Sequence, residues 1–299
     1  MAKRGRKKQG GGEMGLLPLK SDIVFRMVFG DYRYVGIIRA FLLAALDIPT
    51  DEYESLEIID PHLERDRPED KLGILDVRVR LKNGKLISIE VQMRKTPFMP
   101  ERVAFSTGRN LSRQIVSGQS YGQIEKVITV VIANYNMIKG DEWYHHKFKL
   151  YDAEHGVLFT DIMEIHTLEL GKLPDDGDSL GGKERELLNW LRLIRSERKE
   201  EIEMLATKTP EMEMAVGRLK QLSADERARM LYEARELALM DEMARIEAAA
   251  VEGRAEGRAE GRAEGKAEIA KRMLDSNFDL ETVSKISGLS LEEIESLRD

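Results

Sequence analysis

The chain has 299 residues, 42% of them hydrophobic and 34% charged, with a formal net charge of -7. That is enough apolar material for one sizeable core and a smaller module, and the acidity excludes attraction to nucleic acid by the overall field, so any DNA contact has to come from a local basic surface. There is no cysteine, which excludes disulfides and thiolate metal sites and fits a cytoplasmic protein.

Residues 1–15 carry Lys3, Arg4, Arg6, Lys7 and Lys8 and then run into three glycines. No apolar core follows, so this is expected to be a solvated, disordered tail, with a phosphate-binding arm as the alternative. The longest apolar runs fall far short of the roughly 20 residues of a membrane span, and no membrane contact is expected.

Residues 16–170 mix helical and strand periods and hold almost all the aromatics. Asp22 sits at a helix start after Ser21, where a capping role competes with a chemical one. Two strands follow, 73–81 and 85–93, around Lys82–Asn83–Gly84, a hairpin signal. A two-residue Asn-Gly turn would mix apolar and charged side chains on both faces. A three-residue loop with Gly84 left-handed pairs Leu81 with Lys85 and sorts the faces. Leu75, Val77, Val79 and Leu81 then join Ile87, Ile89 and Val91. Asp76, Arg78 and Arg80 join Ser88, Glu90 and Gln92.

That register sets Asp76 across from Glu90, with Gln92 along the same face. Opposed carboxylates repel unless a cation lies between them, and two carboxylates completed by waters and phosphate oxygens suit Mg²⁺. Such an ion activates water and neutralises charge on a scissile phosphate. On the pattern alone, a solvated face with Arg78 and Arg80 balancing the acids is the commoner outcome. Arg78, Arg94 and Lys95 are candidates for holding a DNA backbone. So are Arg102, Arg109 and Arg113, which share one face of the following helix, with Gln114 beside them. Tyr121 reads as a packing residue with a bonded hydroxyl. His145 and His146 are adjacent, point apart and make a poor chelating pair.

Residues 171–182 read as a linker and 183–250 as a helical bundle. Leu187, Leu188, Leu191 and Ile194 form one stripe, Thr209–Pro210 starts a helix, and Ser223 to Glu226 reads as a capping box. Residues 251–268 repeat Glu-Gly-Arg-Ala, either a low-complexity spacer or a helix stable only on a partner. Residues 269–299 have helix-turn-helix spacing. Leu280, Val283 and Ile286 form one face, and Leu291, Ile294 and Leu297 another. The acidity of this tail favours protein contact or dimerisation over DNA reading.

The residues from Leu17 to Asp22, then Phe25, Arg26, Phe29, Gly30, Phe41 and Leu42, then Leu75–Asp76–Val77 and Ile89 to Gln92, form an ordered set. Arg102, Gln114, Gly118 and Tyr121 on one helix and the strand 127–133 complete it. In this set the chain resembles the recombination-promoting nuclease (Rpn) and transposase family, a branch of the PD-(D/E)XK nucleases, over residues 16–160. The resemblance implies an α/β, restriction-endonuclease-like core: helix, three-stranded antiparallel segment, helix and strand, a mixed sheet flanked by helices, here followed by an all-α region. It implies Mg²⁺-dependent hydrolysis of DNA phosphodiesters, with Mn²⁺ as an alternative ion. By position Asp76 and Glu90 match the metal-binding acids, Gln92 the superfamily lysine, and Asp22 an accessory acid. Two departures stand out: Gln92 replaces lysine, and Leu75 stands where the name's proline would. The expected protein is an endonuclease of recombination, transposition or mobile-element defence, dimeric through its helical half. The rival is a non-catalytic, self-associating protein that kept the nuclease fold.

Overall fold

A computed structural model describes residues 15–59, 77–175 and 180–297. Asp76 lies outside the described residues, as do the basic tail before Gly15, most of the first hairpin strand's predicted start and the middle of the predicted linker.

The first elements are helices α1 (Asp22–Phe29) and α2 (Val35–Ala45). Strands β1 (Glu57–Ile59), β2 (Val77–Arg80) and β3 (Leu86–Gln92) form an antiparallel trio. Helix α3 (Met99–Ser112) leads to β4 (Val127–Ala133), which runs parallel to β3. A hairpin of β5 (His145–Tyr151) and β6 (Leu158–Glu169) completes six strands in the order β1-β2-β3-β4-β6-β5, with β6 parallel to β4. The sheet is therefore mixed. Every residue of β4 is buried, as a central strand covered on both faces requires.

The β2–β3 register follows the sorting of side chains. Val77 pairs with Ile89, Arg78 with Ser88 and Val79 with Ile87. Gly84 has φ +84°, and the Leu81 N–H donates to the Lys85 carbonyl at 2.9 Å, the three-residue loop expected from the pattern. The apolar face of this sheet packs on α1 and α2, where Phe25 and Phe29 stack at 4.1 Å between ring centroids. Helix α3 covers the other face through Met99 and Val103 on Val131.

Helices α4 (Gly182–Arg195), α5 (Lys199–Ala206) and α6 (Pro210–Ala224) pack on one another and also on α1 and α2. They belong to the same unit as the sheet, which ends at Glu233. Trp190 of α4 packs edge-on against Phe29 and Phe41, at 5.7 and 6.2 Å, and the Ser223 hydroxyl accepts from the Leu17 N–H at 2.9 Å. The Leu187–Ile194 stripe is apolar because it meets the back of α2, a contact that helical periodicity cannot distinguish from one within a bundle. Thr209 caps α6, accepting from the Met212 N–H at 3.1 Å. Ser223 is not the next cap: it bonds back into α6, and Asp225 caps the long helix after it by accepting from the Ala228 N–H at 2.7 Å.

The second unit runs from Ala234. Helix α7 (Glu226–Asp275) spans 50 residues and carries the repeat in helical form, although each of its four glycines costs about 1 kcal/mol relative to alanine. Helices α8 (Leu280–Ser287) and α9 (Leu291–Ser296) gather Ala270, Val283 and Ile294 into a small core. Asp279 and the Ser290/Glu293 capping box start them, and Gly288 at φ +68° ends α8. Ile286 and Leu291 face outward, contrary to the expected faces, because Ser287 turns inward and bonds the Val283 carbonyl.

Candidate active site

Parallel pairing lays side chains in rows across the face under α3. Glu90 pairs with Val131, which pairs with Thr167. One step on, Gln92, Ala133 and Glu169 form the next row. Arg78 and Ser88 form the row before. Glu90 is buried in the middle of β3. It accepts from the Ser106 hydroxyl of α3 at 3.3 Å and, at the limit of a hydrogen bond, from the Gln92 amide at 3.5 Å. Burial raises its pKa above the usual glutamate value, and the nearby charges of Arg102 and Arg78 only partly oppose this. A carboxylate held this way requires a cation to remain ionised at low cost.

The expected residues separate into two groups. Glu90, Gln92, Arg78 and Arg102 are brought together: the first two touch, and the two arginines act on the Glu90 charge. Arg94 is half-buried and Lys95 exposed just beyond β3. Asp22 opens α1, buried, and its carboxylate accepts from the Ile23 N–H at 2.7 Å, so it serves its own helix terminus. Arg109 lies in the last turn of α3 and Arg113 at its C-terminal cap. The helix stops there and does not reach Gly118 and Tyr121 as expected. Tyr121 is 81% exposed, so it is not the packing residue expected. Gln114 is tied to the Glu125 backbone through both ends of its amide, at 2.9 and 2.8 Å.

Three residues escaped the sequence. Ser106 lies four positions after Arg102, on the same edge of α3, and that spacing was the available signal. Glu169 is fully buried, accepts from the Met137 N–H at 2.7 Å and pairs with Lys172 at 3.3 Å, which pins the segment after β4. Tyr135 in that segment has a buried hydroxyl without a hydrogen-bond partner, and its pKa is raised by burial, against Arg102 and with Glu169. No sequence pattern marks these two, because only the β4–β6 pairing brings Glu169 to the segment after β4, where Tyr135 also feels Arg102. His145 meets His166 at 2.8 Å and His146 meets Asp141 at 3.0 Å, so the two adjacent rings have separate partners.

Among the described residues no cluster of three or more acids or histidines could hold a metal ion. Glu90, a buried carboxylate with two long, neutral hydrogen bonds, suits one oxygen ligand of a hard cation.

The chain matches the PD-(D/E)XK nuclease family transposase profile over residues 19–249, which includes the sheet and α4–α6. The chain belongs to that family. Its tail, residues 263–299, matches the C-terminal helix-turn-helix domain of the Rpn/YhgA-like nuclease family. No curated protein and no solved structure matches. As a PD-(D/E)XK nuclease family member the chain is of the nuclease class, and its helix-turn-helix domain points to DNA binding. This corrects the weight that the tail's acidity carried toward protein contact alone. Among the described residues no helix is long and apolar enough to cross a membrane.

Proposed function

We propose that the protein is a divalent-metal-dependent DNA endonuclease of recombination, transposition or mobile-element defence, acting in the cytoplasm. The observation that carries this reading is Glu90: a buried acid in the central row of the sheet, with Arg102 and Gln92 beside it, in a chain of the PD-(D/E)XK family. Asp76 and Glu90 would hold the ion, Mg²⁺ or Mn²⁺. When bound it would supply a Lewis acid for the phosphate and acidify a water molecule.

The chain's own residues do the rest. Gln92 turns its amide N–H toward Glu90, which leaves its carbonyl oxygen to accept from a water and orient it. A neutral amide cannot take that proton as a base or stabilise charge as lysine would, so Gln92 is a positioning group. Arg102 and Arg78 offset the Glu90 charge and, with Arg94, Lys95, Arg109 and Arg113, would hold phosphates. Asp22 would act as an accessory acid through its second carboxylate oxygen while Oδ1 accepts from the Ile23 N–H. The helical half is assigned to dimer formation, giving two sites for two strands.

The test is plasmid cutting by the full chain with Mg²⁺ and with EDTA, alongside Asp76→Ala and Glu90→Gln. Metal-dependent nicking that both substitutions abolish supports the reading, and nicking that survives both removes it. A second reading, an interaction protein on a nuclease fold, is favoured by the exposed length of α7, where Leu237, Met240 and Val251 face solvent. It predicts self-association without metal-dependent cutting.

A further inference from the structure

One face of α3 carries two exposed aromatic rings, to which the proposed catalytic centre gives no role, beside arginines that it uses. Phe98 is 76% exposed and Phe105 is 74% exposed. They alternate with the exposed Arg102 and the half-buried Arg109 at spacings of four, three and four, which places all four on one side of the helix. The buried residues Met99, Val103, Thr107 and Asn110 form a neighbouring face about a third of a turn round the helix, so the aromatic stripe flanks the packed face and is not covered by it. Phe98 adds a backbone observation. It stands at φ +58°, ψ +32°, the left-handed region that a bulky residue avoids, and it holds its ring toward solvent just where α3 begins.

We infer that this stripe is a track for a DNA strand with unstacked bases, leading to Glu90. Aromatic rings stack on base faces, arginines take phosphates, and alternation of the two along one groove or face is the chemistry of single-strand binding. Seven residues of helical rise separate the two positions by about 10 Å along the axis, a spacing for separate bases of one strand. An intact duplex hides its base faces and would engage the arginines alone. A second copy of the chain would pair such stripes antiparallel, phenylalanine on arginine, and the oligomeric mass of the variants separates that occupant from DNA. Continuity with the site favours DNA: Arg102 belongs to the stripe and also acts on the Glu90 charge, and Ser106, next to Phe105, donates to Glu90. The overall charge of -7 makes a local basic stripe the more necessary.

The choice of DNA as occupant rests on the nuclease reading, so binding and cutting are measured separately. Full-length protein is titrated with fluorescent oligothymidylate and with a mixed-sequence duplex in EDTA, and plasmid cutting is followed in Mg²⁺. Phe105→Ala and Phe105→Leu remove the π face from an exposed position and should keep the wild-type melting temperature. Both are expected to weaken oligothymidylate binding by about fivefold or more and to spare the duplex. Unchanged oligothymidylate binding, or an equal loss on both ligands, overturns the track. So does a fall in oligomeric mass in these variants, which would make the face an interface between copies. If the selective loss appears in a protein that never cuts plasmid, the track stands and the nuclease reading fails. If cutting is metal-dependent but the selective loss is missing, the reverse holds.

Discussion

Ser106 donates its hydroxyl to Glu90 across 3.3 Å, tying the middle of α3 to the buried acid of the sheet. The bond fixes which carboxylate oxygen faces the helix and leaves the other toward Gln92. Partners of this kind orient a metal-ligating carboxylate, and their removal costs about 10- to 100-fold in metal affinity or activity. Ser106→Ala is therefore expected to raise the Mg²⁺ concentration needed for half-maximal plasmid cutting, with little change in folding. An unchanged metal requirement would separate Ser106 from the site.

Glu90→Gln should abolish cutting and at the same time make the metal-free protein more stable at neutral pH. Burial raises the Glu90 pKa above its unfolded value, so the folded state holds the proton more tightly. Stability from this group is present at acidic pH and is lost as pH rises from the unfolded pKa through the folded one. The amide escapes that loss. Thermal melts in EDTA at several pH values check this: the variant's advantage should appear at neutral pH and shrink toward acid. A variant less stable than wild type at neutral pH would mean that Arg102 and Arg78 outweigh the burial.

Part of this site was legible in the sequence and part was not, for definable reasons. The hairpin register followed from period-2 sorting, which selects the three-residue loop with Gly84 left-handed over a two-residue Asn-Gly turn, and the described residues from Val77 onward pair as that sorting requires. The role of 182–224 was not legible, because an amphipathic helix shows that it has a buried face and not what covers it: α4 meets α2 as well as α5, and Trp190 packs on Phe29 and Phe41. Glu169 and Tyr135 were invisible because strand order β4-β6-β5 is not encoded locally. Phe98 and Phe105 carried no signal because exposure cannot be told from a helical pattern that already has an apolar stripe.

Trp190→Ala tests whether α4 is part of the core. The indole is 1% exposed among Phe29 and Phe41, and truncating a buried aromatic costs about 3–5 kcal/mol. Urea unfolding followed by fluorescence of the remaining tryptophan, Trp143, and by far-ultraviolet circular dichroism should show both signals moving together to lower midpoint. Loss of a helical signal alone, with the sheet unaffected, would restore a separate helical module.

Gly84→Ala probes the turn that sets the hairpin register. At φ +84° a Cβ is disfavoured by about 1–2 kcal/mol, and here it would also stand 2.7 Å from the Glu125 side chain. The expected outcome is a lower urea midpoint together with reduced cutting, since β2 carries Arg78 beside Glu90. A variant as stable as wild type would mean that the loop adopts another turn.

Phe98 supplies the sharpest contrast between stability and use. Its left-handed backbone costs about 1–2 kcal/mol for any residue with a Cβ, and glycine escapes this cost while giving up roughly 0.5–1 kcal/mol through its looser unfolded chain. Phe98→Gly should therefore be the more stable variant, by up to about 1 kcal/mol, and Phe98→Ala should keep the strain. Within a helix the order would be the opposite, with alanine ahead, so the sign of the difference reports the conformation directly. Both variants lose the ring. If both also lose oligothymidylate binding while glycine gains stability, the strain is retained for the ring it presents. If alanine is the more stable of the two, position 98 is not left-handed in solution, and the ring's outward placement needs another cause.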